Sequence, residues 1–165
     1  MPKVTLITHT PDPEMTIASA ARLCYSPATI AQVQEKLTPE KAGEFVEMLA
    51  GLGHQSPIEH AVFTFGIEGV SRALLAQITR HQNEVKFISA SLQYSNYAGQ
   101  ADFVVPYEIM TASQWVHDFY LKKCRAAMEH YADIGACGIS RDAAGYLAPQ
   151  SLRNVLIISA TPYQW

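Results

Sequence analysis

Residues 60–81 read HAVFTFGIEGVSRALLAQITRH, and within them a strand pattern gives way to a helix pattern. Residues 60–67 carry β-branched and aromatic side chains in alternation, such as Val62 followed by Phe63, which predicts a strand. Residues 70–81, rich in alanine and leucine, predict a short helix. Strands and helices that alternate in this way along the chain indicate an α/β or α+β fold.

Three further helix starts place a capping side chain before the first turn, where it can accept a hydrogen bond from a free backbone N–H group. They are Asp12-Pro13, Thr38-Pro39, and the capping box of Thr111 and Gln114. The last one predicts a long packing helix over residues 111–135, with Cys124 and Tyr131 on its apolar face. Residues 4–7 and 155–158 predict strands, and the second of these is expected to be buried.

The composition is that of one folded domain. Of the 165 residues, 48% are apolar and 16% are charged, so a single domain over residues 1–165 can bury a core and a disordered chain is excluded. The low charge also suggests that other subunits cover part of the surface. The net charge is −3 and no basic run is present, so we expect no nucleic-acid partner and no membrane attachment.

The three cysteines, Cys24, Cys124 and Cys137, are odd in number and lack CxxC spacing. Together with an amino terminus that shows no signal peptide, this pattern predicts reduced thiols in a cytoplasmic protein. We expect each cysteine to be a small buried apolar residue and not a nucleophile. The sequence has no HExxH motif, and no metal site is predicted.

The first candidate binding segment is residues 53–60, GHQSPIEH, which join a helix to the strand that follows. The segment presents two imidazoles, a hydroxyl and a carboxylate within eight residues, including His54 and Ser56. Such a junction could offer hydrogen bonds to a ligand. The alternative is a capped helix end whose histidines bond locally, and the spacing alone favours that alternative.

The second candidate is the end of the helix predicted over residues 70–81. At helical spacing, Gln77, Arg80 and His81 occupy positions i, i+3 and i+4 and share one face. Arginine can bind a phosphate with two hydrogen bonds, glutamine can pair with a base edge, and histidine can donate or stack. A polar triplet on an otherwise apolar helix is typical of a ligand site, with structural hydrogen bonding in the interior as an equal alternative.

The third candidate is residues 89–95, SASLQYS, an extended segment rich in hydroxyl groups. Ser91 has no G-x-S-x-G setting and no base beside it, so the sequence does not predict an acyl-transfer nucleophile there. The hydroxyls either bind a polar ligand or face water at the edge of a sheet.

Together these segments resemble the flavin-dependent thymidylate synthases. The similar blocks follow one another through nearly the whole chain: KVTLITHTPDPE at 3–14, AARLCYS at 20–26, GHQSPIEHAVFTF at 53–65, GVSRALLAQITRH at 69–81, SLQYSNY at 91–97, DFVVP at 102–106 and SATPYQW at 159–165. The resemblance implies a central mixed sheet flanked by helices and a homotetramer with shared sites. It also implies reductive methylation of dUMP to dTMP, with FAD as cofactor and with NADPH and methylenetetrahydrofolate as co-substrates.

The resemblance also implies site residues, position by position. The positions that match the family's dUMP ligands are Gln77, Arg80, Ser91 and Gln93. The positions that match its FAD ligands are His54, Ser56, Arg80, His81 and Gln82. The serine that corresponds to Ser91 is a nucleotide ligand in that family and not a covalent nucleophile, and no residue of this chain is assigned a catalytic role.

Four positions where the family has arginine carry uncharged residues here: Gln82, Gln93, Gly145 and Tyr163. Eight residues separate Gln82 from Ser91, one more than in the family, and the family continues beyond the position of Trp165 with a further helix. An alternative is therefore a non-catalytic or altered-substrate homologue, which binds a nucleotide or flavin weakly or acts as one subunit of a split enzyme. The third interpretation is a structural protein that binds no ligand.

The lost arginines give a first prediction. The double substitution Gln82→Arg with Gln93→Arg should raise the affinity for FAD or dUMP by about tenfold per restored charge-assisted hydrogen bond. Flavin fluorescence, titrated with the wild-type and substituted proteins, measures that affinity. Unchanged affinity would reject the alignment of these two positions with the family's arginines.

Overall fold

The computed structural model describes residues 1–81 and 85–165, and within them it contains a four-stranded sheet and seven α-helices. The strands are β1 Lys3–His9, β2 Phe63–Ser71, β3 Lys86–Ser89 and β4 Arg153–Ala160. The α-helices are α1 Pro13–Tyr25, α2 Ile30–Lys36, α3 Pro39–Gly51, α4 Arg72–Ile78, α5 Tyr107–Met110, α6 Gln114–Ala136 and α7 Arg141–Ala144. Short 3₁₀ turns cover Ile58–His60 and Gly145–Leu147.

The strands are arranged in the order β1-β2-β4-β3, and neighbouring strands are antiparallel. The N–H of Thr10, just after β1, donates to the carbonyl of Val62, just before β2, at 2.9 Å. The N–H of Ala90, just after β3, donates to the carbonyl of Val155 in β4 at 3.0 Å. The predicted α+β class is confirmed, and the sheet is antiparallel where a mixed sheet was expected.

The chain divides into two compact units. The first unit consists of Met1–Val4, Ile67–His81 and Ile88–Ile157, and the second consists of Thr5–Gly66, residues 85–87 and Ile158–Trp165. Each has its own apolar core. The core of the first unit contains Phe103, Cys124, Met128, Tyr131, Ala144 and Leu152. The core of the second contains Ile17, Ala18, Ala21, Leu37, Ala42, Leu49 and Ala61.

The long helix α6 is present as predicted, but its start differs. Cys124 and Tyr131 are buried on one face, as expected from the apolar spacing. The helix begins at Gln114 after Ser113, whose side chain makes no capping bond. The Thr111 hydroxyl instead donates to the carbonyl of Tyr107 at 3.0 Å, so Thr111 ends α5 and the predicted capping box is wrong.

Of the other two predicted caps, Thr38 is confirmed and Asp12 is not. Thr38 caps α3, since its hydroxyl oxygen accepts a hydrogen bond from the N–H of Lys41 at 3.4 Å. Asp12 precedes α1 with a left-handed backbone, φ 43°, and its side chain makes no capping bond. A capping box does occur in the chain, at Thr29 and Gln32, where it starts α2.

Residues 60–81, which indicated the fold class, form the predicted strand and the predicted helix, but both elements begin and end at other residues than expected. Strand β2 begins at Phe63, because Ile58–His60 forms a 3₁₀ turn, and it continues to Ser71. The Ser71 hydroxyl oxygen accepts from the N–H of Leu74 at 3.2 Å and so starts α4. The helix ends at Ile78, three residues before the predicted end.

The last strand is buried on one face only. Asn154, Leu156 and Ile158 are at most 2% exposed, whereas Val155 and Ile157 are 45% and 39% exposed. This alternation is typical of an antiparallel sheet with one covered face, so the strand that was predicted to be buried is buried on one face and exposed on the other. Cys24 and Cys137 are also exposed, and of the three cysteines only Cys124 is buried as expected.

Two further findings concern residues 1–81 and 85–165 only. None of the helices there is both long enough and apolar enough to span a bilayer. Within the same ranges, histidine, cysteine and acidic side chains do not gather in a group of three or more that could hold a metal ion.

Gly69 gives a prediction for the stability of β2. Its φ is +73°, and an added Cβ would be 3.0 Å from the carbonyl oxygen of Met1. Gly69→Ala should lower the free energy of unfolding by about 1–2 kcal/mol or more. Alanine rarely adopts this left-handed backbone conformation, and its Cβ would press against a backbone oxygen that cannot rotate away as a side chain can. Chemical denaturation measures the difference. Gly51→Ala is the control, since nothing lies within 4 Å of that position and its φ is not positive; equal effects of the two changes would contradict the prediction.

Tyr120 gives a pH-dependent prediction. Its hydroxyl donates to the carbonyl of Val104 at 3.0 Å, and burial raises the pKa of the phenol above 10.0. The stability from keeping the phenol neutral is fully present below about pH 10 and is lost as the pH rises through the folded-state pKa. The free energy of unfolding of the wild type should therefore fall relative to that of Tyr120→Phe above about pH 10. Urea unfolding at about pH 8 and pH 11 tests this, and a constant difference between the two proteins would contradict it.

Candidate functional site

An open cavity of about 470 Å³ lies in the first unit, at the end of strand β3. Its polar lining comes from the start of α4, the end of β3 and the segment after it, the segment around α7, and the segment before β4. These residues are Arg72, Ser89, Ser91, Gln93, Asp142, Tyr146 and Gln150. Two residues predicted to bind the nucleotide, Ser91 and Gln93, therefore lie together at one cavity.

A tight turn after β3 presents Ser91 to this cavity. The hydrogen bond from Ala90 to Val155 extends the strand pairing up to the residue before Ser91. The Ser91 hydroxyl oxygen accepts from the N–H of Gln93 at 3.0 Å, and the Ser91 carbonyl accepts from the N–H of Ser95 at 3.1 Å. The hydroxyl proton is left to donate to a ligand, because the bond from Gln93 uses a lone pair of the oxygen.

The 3₁₀ turn Gly145–Leu147 forms another wall. It follows α7, which starts where the Ser140 hydroxyl oxygen accepts from the N–H of Ala143 at 3.3 Å. Gly145 contacts Leu92 closely, since a Cβ at position 145 would be 3.3 Å from both Cβ and Cδ1 of Leu92. A side chain at position 145 therefore requires Leu92 to move.

The described lining of the cavity carries one cation and one anion, Arg72 and Asp142. Their formal charges cancel, and the hydroxyl and amide groups of Ser89, Gln93 and Gln150 provide both donors and acceptors. The backbone of Arg72 is fixed where α4 begins. The cavity is therefore polar and close to neutral, which suits a ligand that has hydroxyl and carbonyl groups.

The predicted triplet at the end of α4 is exposed. Gln77 is in the last turn of the helix, and Arg80 and His81 follow its last residue. The N–H of Arg80 bonds the carbonyl of Gln77 at 3.2 Å, and the N–H of His81 bonds that of Ile78 at 3.1 Å. These i to i−3 bonds mean that Arg80 and His81 do not continue the α-helical face on which the sequence argument relied. As far as the described residues show, none of the three lines the 470 Å³ cavity.

In the second unit, the end of α3 sets the position of His54. The N–H of Gly53 bonds the carbonyl of Ala50 at 3.1 Å, and the N–H of His54 bonds that of Leu49 at 3.0 Å. This is the Schellman arrangement, which needs a left-handed residue, and Gly53 has φ +69°. The glycine thus turns the chain so that His54 is held by the helix end itself.

The His54 ring is oriented by an aromatic neighbour. Its Nδ1 is 2.9 Å from the Tyr25 hydroxyl, and the two rings meet edge to face with centroids 5.8 Å apart. The Tyr25 ring also meets Phe45 edge to face at 5.9 Å. Within the described part of the chain, Nε2 of His54 has no hydrogen-bond partner, so that nitrogen is available to a ligand.

Ser56 and His60, in the same turn, do not share the contacts of His54. Ser56 is exposed. The Nδ1 of His60 lies 3.2 Å from the carbonyl of Pro57, which is the local bonding expected if the histidines only stabilise the helix end. Of the two histidines, His54 is therefore the better candidate for contact with a ligand.

The predicted site residues thus form three groups: Ser91 with Gln93 in the cavity, Gln77 with Arg80 and His81 after α4, and His54 with Ser56 after α3. The predicted flavin residue Gln82 lies outside the described residues. Arg72 and Asp142 at the cavity, and Tyr25 as the partner of His54, are not predicted from the sequence. Tyr25 and His54 are 29 positions apart, and nothing local in the sequence signals their contact.

Comparison with known proteins gives a consistent family. The profile of the family described as thymidylate synthase complementing protein matches residues 5–165. The flavin-dependent thymidylate synthase of Geobacter sulfurreducens is 34% identical over 158 residues, which are 95% of this chain and 67% of that protein. That of Clostridium tetani is 45% identical over 109 residues, 65% of this chain and 42% of that protein. The chain thus spans between about two fifths and two thirds of the length of these relatives.

A solved structure supports the same fold. The UMP/dUMP methylase PolB from Streptomyces cacaoi, bound with 5-Br dUMP, aligns with a TM-score of 0.79 and 20% identity over 99% of this chain and 74% of that one. Since the family profile also covers nearly the whole sequence, the chain belongs to the family of thymidylate synthase complementing proteins, together with the flavin-dependent thymidylate synthases that it resembles.

Proposed function

We propose that this chain supplies the nucleotide and flavin sites of a flavin-dependent thymidylate synthase. The reaction is the reductive methylation of dUMP to dTMP, with FAD as cofactor and with NADPH and methylenetetrahydrofolate as co-substrates. The observation that carries the proposal is the family match over residues 5–165, which includes every segment that bears a candidate site residue. We also expect a homotetramer, in keeping with the low charge of the chain.

The nucleotide would be bound by Gln77, Arg80, Ser91 and Gln93. Ser91 offers a hydroxyl proton to a uracil carbonyl or a phosphate oxygen, and Gln93 offers an amide from the same cavity wall. Arg80 is exposed and carries a charge that suits a phosphate. These groups bind and orient the nucleotide, and none of them is proposed as a covalent nucleophile.

The flavin would be bound by His54, Ser56, Arg80, His81 and Gln82. The chemistry of the turn after α3 fits such a ligand, because Tyr25 holds Nδ1 of His54 and leaves Nε2 for a polar edge of the cofactor. Ser56 adds an exposed hydroxyl two residues later. Bound FAD would supply hydride-transfer chemistry, while these side chains bind and orient it.

A second candidate function is that of an altered-substrate or non-catalytic homologue. It is favoured by the cavity lining, in which the charges of Arg72 and Asp142 cancel. Positions 93 and 145, where the family has arginine, carry Gln93 and Gly145 at this cavity. A neutral nucleoside fits such a lining better than a phosphate dianion does.

The purified protein tests the first candidate directly. It should be yellow, or become yellow with added FAD, and dUMP should perturb the flavin absorption bands. Expression should also support the growth of a cell that requires thymidine. Colourless protein that neither takes up FAD nor binds dUMP would exclude the proposal. Flavin uptake with a response to deoxyuridine but not to dUMP would favour the second candidate.

Ser91 gives a matched test within one segment. Ser91→Ala should weaken the binding of dUMP roughly tenfold, because it removes a hydroxyl that donates to the ligand. The titration is followed by the flavin absorption change. Ser95→Ala is the control, since Ser95 is exposed and outside the described lining of the cavity. Equal effects of the two substitutions would remove Ser91 from the nucleotide site.

The contact between Gly145 and Leu92 gives a prediction about restored charge. Gly145→Arg alone should not improve dUMP binding, because its Cβ meets Leu92 at 3.3 Å. Gly145→Arg combined with Leu92→Gly should improve it by about tenfold, since the removal of both Cβ and Cδ1 of Leu92 lets the added guanidinium face the cavity. Leu92→Gly alone is the control, and the measurement is the same titration. A gain from Gly145→Arg alone would contradict the role of Leu92.

A further inference from the structure

A second cavity, of about 320 Å³, lies in the second unit and is lined by the end of α1, by α2 and by the start of α3. Its polar lining residues are Arg22, Ser26, Gln32, Lys36 and Lys41. Its apolar lining includes Val33 and Leu37, which are buried in the structure. None of the candidate nucleotide or flavin residues belongs to its described lining. The cavity lies near the turn after α3, because Phe45, which contacts the Arg22 guanidinium, also meets Tyr25, the partner of His54.

Three cations line this cavity, and no described residue forms an ion pair with them. Arg22 comes from the last turn of α1, Lys36 ends α2, and Lys41 lies in the first turn of α3. The described lining includes no acidic residue, and none of the three cations forms an ion pair within 4.0 Å among residues 1–81 and 85–165. Glu40, beside Lys41 in the sequence, bonds the start of α3 instead, where its own backbone and Thr38 lower its pKa.

The neutral polar groups of the lining also offer donors. The side-chain oxygen of Gln32 is used by the capping box, in which it accepts from the N–H of Thr29 at 2.9 Å, so the amide NH₂ remains to donate. The Ser26 hydroxyl oxygen accepts from the N–H of Ala28 at 3.3 Å, and its proton remains to donate. A cavity whose polar side chains all have donors to offer is complementary to an anion.

Helix dipoles explain only part of this charge. Cations near the ends of α1 and α2 are favourable to those helices, as Arg22 and Lys36 are. Lys41 lies at the start of α3, where the interaction of a cation with the helix dipole is unfavourable. The Arg22 guanidinium lies 4.6 Å from the centre of the Phe45 ring, and this contact restricts its position. Helix stability therefore accounts for Arg22 and Lys36 but not for Lys41, and all three cations line the same cavity.

We propose that this cavity binds the phosphate group of a small phosphorylated ligand. Phosphate has the acceptors that match the guanidinium, two ammonium groups, an amide and a hydroxyl. The volume exceeds that of a phosphate alone, and the apolar floor formed by Val33 and Leu37 can contact a further part of the ligand. The site goes beyond the proposed synthase activity and does not depend on it.

Calorimetric titration with inorganic phosphate, pyrophosphate and 2′,5′-ADP tests the site, the last probe representing a dinucleotide phosphate. At least one probe should bind to the wild type, and Lys36→Gln and Lys41→Gln should each weaken that binding about tenfold or more. Lys122→Gln, which removes the same charge from the exposed side of α6, should leave it unchanged. Circular dichroism confirms that each variant is folded.

The outcomes separate this site from the nucleotide site. Tighter binding of 2′,5′-ADP than of pyrophosphate indicates a dinucleotide phosphate as the source of the phosphate, and the reverse order indicates a free polyphosphate. Phosphate binding that persists in Arg80→Gln supports the proposal even if the protein takes up no flavin. Absence of binding, equal loss in Lys122→Gln, or loss only in Arg80→Gln would overturn it.

Discussion

The backbone hydrogen bonds of residues 150–155 are the constraint on which the first unit depends. On one side they fix the start of α4, where the N–H of Arg72 bonds the carbonyl of Leu152 at 3.1 Å. On the other side they fix the end of β3, where Ala90 bonds Val155 at 3.0 Å. The cavity lies between the segments that these bonds bring together. Its two most informative groups, Arg72 and Ser91, are each within one residue of such a bond, so the cavity is set by the sheet and not by a free loop.

The sequence predicts the elements that depend on local chemistry. Thr38 before Pro39 starts a helix in the structure, because the cap and its target N–H are three residues apart. Thr111 with Gln114 has the same spacing, yet Thr111 bonds the preceding turn and ends α5. Both outcomes are compatible with the local pattern, and tertiary packing decides between them. Element types were therefore predictable, whereas several of their bounds were not.

The candidate site likewise combines a contact that the local sequence specifies with contacts that it does not specify. The positions of Ser91 and Gln93 at one cavity follow from a single short turn, which sequence neighbours can specify. The contact between Tyr25 and His54 and the presence of Arg72 and Asp142 at the same cavity depend on segments far apart in the chain. The cavities of the two units also differ in charge. The cavity of the first unit is nearly neutral, whereas the described lining of the one in the second unit has three cations and no acidic residue. Composition alone, at a net charge of −3, conceals that difference.

The close contact between Gly145 and Leu92 has a consequence for how this chain can change over time. A Cβ added at position 145 would lie 3.3 Å from the Leu92 side chain, so the two positions do not vary independently: a larger residue at position 145 requires Leu92 to shift or to be replaced by a smaller residue. A lineage that carries this pair therefore accommodates an arginine at position 145 most easily after position 92 has changed to a smaller residue. The lining of the cavity therefore couples the variation of two separate segments of the chain.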